Sequence, residues 1–102
     1  DMRYDKLVRD RIPEIIGAKG EECSFHIATD DDEFREKLYG KLREETEELI
    51  RDRNAGEIAD VLEVLDAVMR FEGVSLEEVA ETKRKKADER GGFSGRIILE
   101  ES

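Results

Sequence analysis

The residues with the clearest capacity for chemistry are carboxylates: Glu44, Glu45, Glu47 and Glu48 in one segment, then Glu57 and Asp60 a short step later. Asp and Glu make up 28 of the 102 residues, so an acidic pattern alone describes nothing more than a solvated helix face. The discriminating property is where each acid points, at ~100° per helical residue. Phe34, Leu38, Leu42 and Leu49 fall on one side of a helix and define a buried stripe. Glu45 sits in the middle of that stripe, where a leucine would fit, and Glu48 lies at its edge. Glu47 points away, and Glu44 is well off the stripe. In the next segment Ile58, Val61, Leu62, Val64, Leu65, Val68 and Phe71 leave only a narrow wet face, marked by Glu63, Asp66 and Arg70. Glu57 lies almost opposite that face, and Asp60 sits beside valines and leucines.

A buried carboxylate must be protonated, paired or bound to a cation. Glu45, Glu48, Glu57 and Asp60, at two i,i+3 spacings on helices joined by a short turn, can converge on one point. Mg²⁺ is the hard cation suited to such an oxygen-only site with room for water and phosphate. Further along, a stripe of Leu76, Val79 and Ala80 continues into Lys83, Lys86, Ala87 and Arg90. Two readings stand at this point. The cations pair with the inward acids in an interior network, or a metal cluster faces a phosphate-binding rim, the arrangement needed to hydrolyse a phosphoanhydride.

The elements that position these residues are helices. Residues 4–13 lead into a short helix with Pro13 near its start, ended by Gly17 and Gly20. Residues 23–28 alternate Phe25 with Ile27, a weak strand pattern, and the apolar stretch at 96–99 is a potential hairpin partner. Asp30 is a good N-cap, and Asp31, Asp32 and Glu33 suit the positive helix end. That helix is expected to reach about Arg53, with Asn54 and Gly56 at the turn. A second long helix spans roughly 57–72 and stops at Gly73; Ser75 and Glu78 open a third, ending at Gly91-Gly92. The expected fold is all-α: three long helices, a short N-terminal helix and a possible two-stranded hairpin.

Composition sets the outer limits. One domain over residues 1–102 is expected, with Met2 read as the natural start and Asp1 as an addition before it. So small a helical domain buries a limited core, which favours shared burial with a second copy. Charged residues are 45% of the chain, yet the apolar ones recur at helical spacing, which speaks for folding. The net charge of −10 disfavours nucleic acid and anionic membranes as partners. A single cysteine, Cys23, excludes an internal disulfide and reads as a small packing residue. With no signal-like or membrane-length apolar run, a cytoplasmic location is expected.

The ordered motifs resemble a known family. Glu44-Glu45-Thr46-Glu47-Glu48 followed by Glu57-Ile58-Ala59-Asp60 is similar to the EExxE and ExxD motifs of MazG-like all-α nucleoside triphosphate pyrophosphohydrolases, relatives of phosphoribosyl-ATP pyrophosphohydrolases and dimeric dUTPases. The chain most resembles a small predicted house-cleaning branch. It shares that branch's opening Tyr4-Asp5-Lys6-Leu7-Val8-Arg9-Asp10 with Ile12-Pro13, its Asp60-Val61-Leu62-Glu63-Val64, and its ending from Lys83 to Arg90-Gly91-Gly92-Phe93.

The resemblance implies Mg²⁺ (or Mn²⁺ in its place) on Glu45, Glu48, Glu57 and Asp60. Glu44 would be a fifth acid, and Glu44 or Glu48 would orient or deprotonate water. Lys83, Lys86 and Arg90 would contact phosphates. The implied reaction yields a nucleoside monophosphate and pyrophosphate, in a homodimer or higher assembly that completes a four-helix bundle. Only eight residues separate Glu48 from Glu57, shorter than in many of these proteins, which makes Lys6, Arg9, Arg11 and Phe93 candidates to contact substrate. The alternatives are phosphoribosyl-ATP hydrolysis, for which the residues after Asp60 match poorly, and a non-enzymatic acidic oligomerisation module.

Overall fold

Residue choice at the helix ends decides where each element begins and stops. The structure, a computed structural model, describes residues 3–102, so the reading of Asp1 and Met2 lies outside the described residues. Among these the chain is all-α: α1 (Ile12–Ala18), α2 (Asp31–Asp52), α3 (Ala55–Glu72) and α4 (Leu76–Arg90). Pro13 sits in the first turn of α1, and Gly20 follows the helix at φ +79°, a backbone that glycine adopts without steric cost. Asp30 accepts a hydrogen bond from the Glu33 N–H at 2.8 Å, capping α2 as its sequence implies. Ser75 does the same for α4 through the Glu78 N–H at 3.1 Å.

The α2–α3 turn is tighter than expected. Arg53, not Asn54 or Gly56, carries the left-handed turn conformation at φ 48°, and its N–H donates to the Leu49 carbonyl at 2.8 Å. Asn54 instead caps α3, its Oδ1 accepting from the Glu57 N–H at 3.0 Å. Gly56 is thereby absorbed into the first turn of α3. A left-handed non-glycine residue costs about 1–2 kcal/mol, and here it allows two long helices to reverse direction over two residues.

The hairpin is absent among the described residues. Residues 23–28 and 96–99 form no strand, and Phe25, Ile27, Ile97, Ile98 and Leu99 are all exposed. Alternation alone does not stabilise a strand, and a short two-stranded ribbon is marginal in water. Cys23 is likewise exposed, not packed.

The chain forms two compact units, Asp1–Val68 and Met69–Ser102. Within the first, α2 and the greater part of α3 lie side by side, with Leu38 and Val64 buried. The only other buried side chain among the described residues is Glu45, on the same stripe as Leu38. The second unit holds the last turn of α3, then α4 and the tail, and Leu76, Phe93 and Ile97 are exposed there. No helix among the described residues is long and apolar enough to cross a membrane.

Replacing the α2 cap, Asp30→Ala, is expected to lower the unfolding free energy by about 1 kcal/mol, measured by urea denaturation. No change would show that the Asp30 cap contributes nothing in solution.

Candidate metal centre

Helix periodicity places Glu45 and Glu48 one turn apart on α2, and Glu57 and Asp60 one turn apart at the start of α3. The two-residue turn sets these pairs facing each other. One carboxylate oxygen from each of the four lies within 4.8 Å of the others. Glu45 is 6% exposed, and the other three are half-buried. Glu45 Oε2 and Glu57 Oε2 are buried without a hydrogen-bond partner. Such orphaned oxygens are costly unless something supplies positive charge or a proton.

Electrostatics record the crowding. The Glu48 carboxyl is pushed above the ordinary range first by Glu45, through a shared hydrogen bond and its charge, then by burial and the charges of Glu57 and Glu44. Glu44 differs. Burial pushes its carboxyl up, but hydrogen bonds from Lys6 and Lys41 outweigh this and hold it below the usual carboxylate range. Glu44 therefore stands beside the cluster, bridged by two lysines, and not within it.

Lys41 is the residue that sequence reasoning missed. Its ammonium lies 3.0 Å from Glu44 Oε2 and 3.2 Å from Glu45 Oε1, and its side chain is only 16% exposed. Burial works against its charge, but the two glutamates prevail and its pKa is raised. The signal was available: Lys41 precedes Glu44 and Glu45 by three and four residues, the helical spacing at which ion pairs form.

The N-terminal segment contributes two more cations. Arg9 donates to Asp60 Oδ1 at 2.8 Å and lies 3.8 Å from Glu63, while Lys6 reaches Glu44. Arg11 does not come to the cluster; from the position just before α1 it pairs with Glu14 in the first turn of that helix at 3.2 Å. A shallow groove of about 280 Å³ opens beside Glu44, lined by Lys6, Lys37, Gly40, Lys41 and Arg43 among others. In the second unit, Lys83 and Lys86 line a separate groove of about 430 Å³ with Val74 and Val79. Arg90 is exposed at the end of α4, and Phe93 is 98% exposed and packs on nothing.

The donor set fits a hard divalent cation. It is all carboxylate, drawn from two rigid helices, with buried oxygens lacking donors and net negative charge after its ion pairs. Glu48→Gln is expected to raise the melting temperature in EDTA, because it removes a charge that Glu45, Glu57 and Glu44 oppose. Millimolar Mg²⁺ is expected to raise the melting temperature of the parent, and the same variant should lose most of that increase. A variant that melts lower in EDTA and keeps the full Mg²⁺ response would contradict the cluster's electrostatics. In comparisons with known proteins, no family model, no curated protein and no solved structure matches this chain.

Proposed function

We propose that this chain is a divalent-cation-dependent pyrophosphohydrolase of the MazG-like all-α kind. Its ion is Mg²⁺, with Mn²⁺ as a substitute. Its substrate is a canonical or damaged nucleoside triphosphate of the cytoplasmic pool, cleaved to monophosphate and pyrophosphate. The observation that carries this reading is the convergence of Glu45, Glu48, Glu57 and Asp60 with two orphaned buried oxygens. The order and spacing of the acidic motifs add to it.

Bound in the cluster, a divalent ion supplies charge to screen phosphates and to acidify water. The chain's own side chains do the rest. Glu48 makes no ion pair among the described residues, so it is the better of the two candidate bases. It accepts a proton from water as the water oxygen bonds to the α-phosphorus and the bridging oxygen leaves with pyrophosphate. Glu44, held ionised between Lys6 and Lys41, is a poor proton acceptor and keeps those lysines in place. Lys83, Lys86 and Arg90 are assigned to phosphate on the order of the motifs. Lys6 and Arg9, both beside the cluster, are the better placed of the N-terminal cations to meet substrate; Arg11 is spent on Glu14.

The same reading assigns the exposed stripe of Ile58, Leu62 and Leu65, recurring at i, i+4 and i+7 on α3, to a second copy of the chain. A homodimer or higher assembly would bury it and complete a four-helix bundle. The ion pairs from Lys6, Arg9 and Lys41 favour one competing account, an acidic oligomerisation module in which paired charges set helix register.

Pyrophosphate release from canonical and modified nucleoside triphosphates and phosphoribosyl-ATP, with Mg²⁺ and with EDTA, separates the accounts. Metal-dependent release from at least one compound is expected, abolished in Asp60→Asn with helicity retained by circular dichroism. No release from the whole panel by folded, Mg²⁺-saturated protein would leave the oligomerisation module as the better account.

A further inference from the structure

Two of the four clustered carboxylates have one oxygen already held by a cation of the chain. Lys41 holds Glu45 Oε1 at 3.2 Å, and Arg9 holds Asp60 Oδ1 at 2.8 Å. On Glu45 the second oxygen, Oε2, is buried and has no donor. Lys41 has little freedom to leave. It emerges one turn before Glu45 on the same helix, it is mostly buried, and Glu44 holds it at 3.0 Å from the other side. A carboxylate tethered in this way offers an incoming ion one oxygen, not two. Ca²⁺ takes six to eight oxygens and readily chelates a carboxylate through both, whereas Mg²⁺ requires a compact octahedron of single contacts.

We infer that Lys41, assisted by Arg9, is a specificity-determining residue that forces its partner carboxylate to bind through one oxygen and so selects a small octahedral cation against Ca²⁺. This rests on the metal-site reading above and deepens it. The prediction concerns a ratio of affinities, because removing a positive charge near the site strengthens attraction for either dication about equally. Any general effect on folding or charge moves both affinities together, while a second available oxygen favours Ca²⁺ alone.

The test is calorimetric titration of the full chain, nucleotide-free, with Mg²⁺ alone and with Ca²⁺ alone. The preference for Mg²⁺ over Ca²⁺ in the parent should fall by at least about tenfold in Lys41→Met, since selectivity between these ions depends on ligand number and flexibility. Lys41→Arg should restore most of it by holding Oε1 again. Arg9→Met, at an exposed position, should move the ratio in the same direction by a smaller factor, and it carries the test should Lys41→Met not fold. A parent that binds both ions, with a ratio unmoved in Lys41→Met and Arg9→Met, would overturn the inference and leave the metal site intact. A folded parent that binds neither ion would overturn the metal site itself.

Discussion

Carboxylates held within 4.8 Å of one another repel, and in the first unit that repulsion is set against the packing of two helices. A chain free to relieve this would splay α2 from α3. It is prevented by the two-residue turn at Arg53 and Asn54 and by the burial of Leu38 and Val64 beside the acids. Glu45 occupies a position where a leucine would have added to a small core. The geometry therefore sacrifices apolar packing to hold negative charge together, a choice that makes physical sense where a cation completes the site.

Cations of the chain offset part of this charge without cancelling it. Lys41 and Lys6 serve Glu44 and Glu45, and Arg9 serves Asp60 and Glu63. Glu48 and Glu57 make no such pair among the described residues, and it is Glu48 whose carboxyl is driven upward by its neighbours. The division is chemically useful. Glu45 Oε1 and Asp60 Oδ1 are tied to cationic side chains, while Glu45 Oε2 and Glu57 Oε2 are buried without a partner. Lys6 and Arg9 come from the segment ahead of α1, so a stretch without regular structure is positioned by its charges.

Much of this was legible in the sequence because helices are governed by local rules. Asp30 and Ser75 announce their caps, and the stripe of Phe34, Leu38, Leu42 and Leu49 exposes Glu45 as out of place. The pairing of Glu45 and Glu48 with Glu57 and Asp60 followed from two i,i+3 spacings and a short connection. What was not legible depended on contacts between distant residues. The reach of Arg9 to Asp60 spans 51 positions, and no local pattern separates Arg9 from Arg11, which satisfies itself on Glu14. The Arg53 turn was obscured by Asn54 and Gly56, the more usual turn residues, because Asn54 was needed as a cap. The strand pattern at 23–28 misled for the complementary reason: alternation describes a face but supplies no partner.

The central claim is that the four inward carboxylates form one divalent-cation site. Crystals grown or soaked with Mn²⁺ and measured for anomalous scattering test it most directly, since the signal locates the ion without reference to any reaction. The account predicts an anomalous peak enclosed by Glu45, Glu48, Glu57 and Asp60, with Lys41 still on Glu45. A crystal saturated with Mn²⁺ that shows no peak there, and has the four acids bridged by lysine and arginine side chains instead, would contradict it.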